Sequence, residues 1–234
     1  MEKNGIWHSS FRIPAYMVGT NRKANLVAIC NLLQEVAGEH AQLHHLGYED
    51  MQHKGQFWVL NRLRVKVTNY PDWKSTVELR TWVNSMKGPF SYRNFSMYNE
   101  QGQVLLAACS LWVLIDAESR RPVRILKYSL PVLENAASLC GQPEKLKPLK
   151  DSILIATHKV KPSDLDMVGH VNNVKYLEWM LDALDGEFDK VKMIDVNYLQ
   201  ESFINDEVDL FRSDNGFAIT GVESKEDICR MRFQ

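Results

Sequence analysis

The chain spells out one order of elements twice, and this repetition limits what it can fold into. Met17-Val18-Gly19 recurs as Met167-Val168-Gly169, 150 positions later, and each copy runs into an apolar-striped segment. In the first, Leu26, Ile29, Leu33 and Val36 recur at helical spacing, predicting a helix from about Arg22 or Asn25 to the His44/His45 region. In the second, Val174, Leu177, Met180, Leu181 and Leu184 do the same, with Asn172 or Asn173 as the N-cap. A second match, Thr76-Val77-Glu78-Leu79 with Glu207-Val208-Asp209-Leu210, follows each helix 131 positions apart. In this register Tyr16 stands opposite Asp166 and Thr20 opposite His170, so only the second copy carries the reactive types.

Strand composition surrounds both helices. Trp7 to Ile13 and Ile153 to Val160 precede them. Phe57 to Val67, Thr76 to Val83, Phe90 to Tyr98 and Val104 to Ile115 follow the first, with a turn at Asn99 to Gly102. Met193 to Phe203, Glu207 to Phe211, Phe217 to Glu223 and Ile228 to Phe233 follow the second. The fold class is α+β, each half an antiparallel sheet wrapped on a long helix. The halves span 1–118 and 151–234, joined by a connector, 119–150, with four prolines. Its Arg120, Arg121, Arg124 and Lys127 read as a solvated loop or as a dock for an acidic partner.

Composition narrows the function. With 234 residues and 45% apolar content the chain can bury a sizeable core. A formal charge of −1 argues against general nucleic-acid binding. No apolar run reaches the length of a membrane span, and no leader-like segment opens the chain, so a cytoplasmic protein is expected. Cys30, Cys109, Cys140 and Cys229 are scattered and suggest neither disulfides nor a zinc site. His40, His44 and His45 have one-turn spacing but no evident third ligand, so no metal is expected.

The chemistry concentrates in Asp164 to Trp179, where carboxylates and an imidazole precede a helix N-terminus. Free N–H groups of that first turn suit a carbonyl oxygen gaining negative charge. Asp164 reads as the residue that shapes the turn, with an orienting role as the alternative. Glu201 taken alone reads as an exposed strand carboxylate.

Several ordered fragments together resemble the plant and bacterial acyl-acyl-carrier-protein thioesterases. They are Val18 to Leu26, Asn31 to Ala41, Trp58 to Arg62, Tyr70-Pro71-Asp72-Trp73, Thr81 to Val83, Ser110 to Val113, Arg120-Arg121, Asp164 to Tyr176 and Tyr198 to Ser202. The resemblance implies a tandem hotdog fold that hydrolyses fatty acyl thioesters of acyl carrier protein, without a cofactor. It places the reactive groups at Asp166, His170 and Glu201, and the carbonyl at the backbone near Asn172 and Asn173. It puts the acyl chain in the first half, near residues such as Trp58, Leu60, Trp82 and Trp112. Arg62, Arg64, Lys66 or the 120–127 cluster would meet the acidic carrier. Two positions depart from the plant pattern: Val168 replaces an Asn, and Ser202 a Cys, which excludes a cysteine nucleophile there. A hotdog dehydratase and an inactive acyl-binding module are the rival readings. Monomer and homodimer are equally compatible with a tandem chain.

Overall fold

The computed structural model describes residues 1–125, 130–134, 136, 138–184 and 190–234. They fall into two units, Met1–Pro143 and Glu144–Gln234. The 119–150 connector is thereby divided between them.

The first unit contains β1 (Glu2–Lys3), β2 (Ile6–Arg12), α1 (Leu26–Leu43), α2 (Tyr48–His53), β3 (Gln56–Val67), β4 (Thr76–Lys87), β5 (Phe90–Asn99) and β6 (Val104–Asp116). Its strands pair antiparallel in the order β1-β2-β4-β5-β6-β3. Asn25 caps α1 by accepting the Ala28 N–H at 2.7 Å, and Leu26, Ile29, Leu33 and Val36 are all buried. The strand spans agree with the sequence reading to within one residue, except that β4 runs on to Lys87 past an irregularity after Val83. The sequence reading has no counterpart for α2, whose six residues are too few to show a period.

The second unit contains β7 (Ile153–Lys159), α3 (Asn173–Asp182), β8 (Met193–Tyr198), β9 (Glu207–Ser213), β10 (Gly216–Gly221) and β11 (Asp227–Phe233), with order β8-β11-β10-β9-β7. The predicted strand Met193 to Phe203 stops at Tyr198, because Leu199 and Gln200 both turn their N–H groups onto Ile228 O. No helix among the described residues is long and apolar enough to cross a membrane.

The connector is anchored to each unit at a few points, while Arg120, Arg121 and Arg124 are exposed as a solvated loop would have them. In the first unit Leu133 N–H bonds Val83 O at 2.8 Å, and the Trp82 indole donates to Ala136 O at 3.2 Å. In the second, the buried Asp195 and Asn197 accept from Glu144 N and Leu146 N, while Arg230 donates to Leu146 O. Arg120 lies 4.9 Å over the Phe57 ring, and Lys127 falls outside the described residues.

The two units share a loop, but in a different register from the one the tripeptide suggests. The short turns Ala15–Met17 and Pro162–Asp164, the N-caps Asn25 and Asn172, and the bridges Val18↔Ala24 and Leu165↔Val171 are each 147 residues apart. Arg22 and Gly169, also 147 apart, both take positive φ, at 59° and 84°. Gly19 N bonds Lys23 O as Asp166 N bonds His170 O. The later loops match at 131: Lys74 and Asn205 have φ of 68° and 69°, and Ala24 N bonds Pro71 O as Val171 N bonds Ser202 O. Gly19, Lys23 and Tyr70 therefore occupy the places of Asp166, His170 and Glu201. The Met-Val-Gly identity lies three residues out of register, because a loop's shape rests on its turns and caps rather than on a tripeptide.

Candidate active site

Asp166 and His170 lie on the loop between the Pro162–Asp164 turn and α3. Asp166 Oδ1 accepts the N–H of Val168 at 2.9 Å and of His170 at 3.1 Å, so one oxygen shapes the loop. Among the described residues its Oδ2 has no hydrogen bond. Gly169 supplies the positive φ that turns the chain back, as Arg22 does in the first unit.

Glu201 reaches this loop through the backbone. Val171 N–H bonds Ser202 O at 2.9 Å, which lays residues 201–203 beside 170–171. Glu201 Oε1 then sits 3.4 Å from His170 Nδ1, with both side chains about a quarter exposed. A carboxylate at Nδ1 favours a proton there and leaves the Nε2 lone pair outward. Phe203 packs its ring against the His170 imidazole edge to face at 5.1 Å. The three predicted reactive residues are thus brought together, and Glu201 stands in a loop rather than in the expected strand.

The helix N-terminus offers less than expected. Asn172 N–H is committed to Asp164 O at 2.9 Å, and Asn172 Oδ1 caps Val174 N at 3.0 Å. Among the described residues Asn173 N–H carries no hydrogen bond, so that backbone donor is the one left for a carbonyl oxygen.

Beneath the loop Asp164 is buried, with Oδ2 accepting from Lys161 N at 2.8 Å and lying 3.1 Å from His158 Nε2. Burial pushes its carboxyl up, but the Lys161 N–H and His158 outweigh burial and hold it below the usual range. His158 packs on Trp179 at 4.1 Å. Nothing in the sequence marks His158, which lies six residues away with no motif spacing.

Tyr176, on the buried face of α3, has its hydroxyl beside Ser202; burial pushes its pKa up, and the Ser202 side chain and backbone partly offset this.

Trp58, Leu60 and Trp112 share one side of the first sheet: Leu60 pairs Trp112, Trp58 pairs Leu114, and Trp112 pairs Ser91, which has the parity of Arg93. Arg93 bonds His40 on α1, so this side faces the helix. Trp82 has the opposite parity and lies under the connector, on the other side of the sheet from Trp58, Leu60 and Trp112. Arg64 is likewise buried and is not a surface cation for a carrier.

His40 and His44 do have a third neighbour, Glu2, with ligand atoms within 4.8 Å of one another. The chemistry there is not that of a metal centre. Arg93 donates to His40 Nδ1 at 3.0 Å, so the neutral ring keeps its proton on Nε2 and has no lone pair facing Glu2. A metal-bound imidazole carries the reverse arrangement, donating from its other nitrogen.

Residues 5–130 match the family model described as the acyl-ACP thioesterase N-terminal domain, and 147–234 the acyl-ACP thioesterase C-terminal domain. The oleoyl-acyl carrier protein thioesterase 2 of Arabidopsis thaliana is 30% identical over 236 residues, 89% of this chain and 63% of that protein. The palmitoyl-acyl carrier protein thioesterase of Gossypium hirsutum is 32% identical over 76% of this chain and 47% of its own length. The chain thus spans 63% and 47% of the lengths of these two curated relatives, less than two thirds of either. An acyl-ACP thioesterase from Bacteroides thetaiotaomicron VPI-5482 superimposes with a TM-score of 0.90 at 26% identity, covering 98% of this chain and 97% of that one. The 12:0-ACP thioesterase of Umbellularia californica shares the fold, with a TM-score of 0.82 at 22% identity over 100% and 98%. The architecture is the hotdog fold of these proteins.

Proposed function

Since the chain belongs to the acyl-ACP thioesterase family, we propose that it hydrolyses the thioester of fatty acyl-acyl carrier protein to free fatty acid and carrier thiol. The observation that carries this reading is the convergence of Asp166, His170 and Glu201 on one loop cluster in the second unit. Asp166 Oδ2 and His170 Nε2 are the atoms free to hold and deprotonate a water, and Glu201 orients the imidazole through Nδ1. The water oxygen attacks the thioester carbon, and the carbonyl oxygen takes the negative charge, facing Asn173 N–H. Collapse expels the thiolate of the carrier's arm, which recovers the proton held by the site. Val168 has no polar side chain, so the water depends on the trio and the backbone. Trp58, Leu60 and Trp112 are proposed to line the acyl chain on the helix side of the first sheet.

Incubation with acyl-carrier thioesters of graded chain length, followed by free-thiol titration, tests the proposal. Thiol release with stoichiometric fatty acid is the expected result. An enoyl product without thiol would make the protein a dehydratase, and neither product would leave an acyl-binding module.

A further inference from the structure

The duplicated loop contains its own control. The loop of the first unit has the same turns, caps and backbone hydrogen bonds at the 147-residue shift. At that shift Met17 stands for Asp164 and Phe11 for His158, and the strand register agrees: Phe11 pairs Val77 as His158 pairs Val208. Met17 and Asp164 are buried alike, at 7% and 5% exposure. The neighbours on the helices change in step, with Ala28 and Leu32 in the places of Lys175 and Trp179.

The fold therefore builds this loop with an apolar pair, and a buried carboxylate is not required for its shape. Burying a charge is costly unless it is paired and hydrogen-bonded. The exposed Lys161 N–H, which Asp164 accepts, would otherwise bond water. A carboxylate, an imidazole and an indole replace apolar groups only in the half that holds the ionisable trio.

We propose that His158 and Asp164 form a positioning pair for the hydrolytic loop, an inference that rests on the thioesterase reading. Asp164 joins three parts at one residue. Its carboxylate takes His158 from β7 and the Lys161 N–H, its carbonyl takes Asn172 N–H at the start of α3, and two residues on lies Asp166. His158 then seats on Trp179 of α3 at 4.1 Å. Charge-assisted hydrogen bonds are directional where methionine and phenylalanine packing is not, so the pair fixes the angle at which Asp166 and His170 meet the thioester. Lys175, itself paired with Glu178 at 3.0 Å, adds a favourable charge near Asp164.

The decisive variant is the double replacement His158→Phe with Asp164→Met, which installs the first unit's own pair. It should fold, and kcat on acyl-carrier thioester should fall about ten- to a hundredfold with KM within about twofold, the cost of a small misplacement. His158→Gln, whose amide still donates to Asp164, should keep most of the wild-type kcat. Hydrogen exchange of the Val168 and His170 amides, both bonded to Asp166, should speed up in the double variant. Unchanged kcat and unchanged exchange would overturn the proposal, as would a loss confined to KM. If the wild type releases no thiol at all, the hydrolytic reading fails, and the exchange measurement still decides whether the pair holds the loop.

Discussion

Replacing Asp166 with Asn is expected to lower turnover of acyl-carrier thioester by about 10²- to 10⁴-fold while leaving the melting temperature near that of the wild type. The two effects separate because Asp166 has two oxygens with different employment. Oδ1 holds the loop by accepting the Val168 and His170 N–H groups, and an asparagine carbonyl oxygen can accept both. The substitution therefore removes the negative charge and keeps the turn. What is lost is the capacity of Oδ2 to take a proton from water. Glu201→Gln and His170→Ala should also lower turnover, the first through imidazole orientation and the second through the proton carrier itself. Combining the three should cost much less than the product of the single effects, because groups that act as a unit are not additive. Free-thiol kinetics beside thermal melts test this, and an Asp166→Asn enzyme within threefold of wild type would remove Asp166 from the mechanism.

Acid is expected to unfold the protein through His40. This ring is fully buried, with Nδ1 accepting from the Arg93 guanidinium and Nε2 3.7 Å from Glu2 Oε1. Burial first, then the Arg93 and His44 charges, pull its pKa from an ordinary 6.5 to about 3. Burial also lowers Arg93, to about 10, so the guanidinium remains charged at neutral pH. Below about 6.5 the unfolded chain binds a proton at His40 that the native protein refuses until about 3. Stability is therefore complete above the unfolded value and falls as the pH drops, at up to about 1.4 kcal/mol per pH unit within that window. His40→Gln, which can still accept from Arg93 and never charges, should flatten the slope. Urea unfolding across pH 4 to 7 measures it, and equal slopes in the two proteins would contradict the assignment.

Much of this molecule is legible in its sequence, and the failures have physical causes. Helix periods and strand composition are local, so α1, α3 and ten strands can be read from spacing alone. The proximity of Asp166 and His170 is local as well, since one tight loop spans both. Glu201 is different: it arrives through the Val171 to Ser202 backbone bond, a long-range pairing that no spacing rule contains. Without the family resemblance it reads as an exposed strand carboxylate. That Trp82 lies on the other side of the sheet from Trp58 and Trp112 is hidden for a related reason, since the side a residue takes depends on the register of its neighbours. Asn172 looks like a donor in the sequence, yet its N–H is occupied by Asp164 O, a bond visible only once the turn is folded. His158 is missed because its partner is a buried carboxylate contributed by the following loop.

A backbone that keeps one geometry with Gly19, Lys23 and Tyr70, and again with Asp166, His170 and Glu201, has separated architecture from reactivity. The unreactive copy is consequently a mould filled with unreactive residues, Lys23 paired with Asp72 at 2.9 Å and Tyr70 buried. Ancestors or designers could rewrite its contents without disturbing the walls, which makes residues 15–25 and 70–75 a natural receptacle for transplanted chemistry.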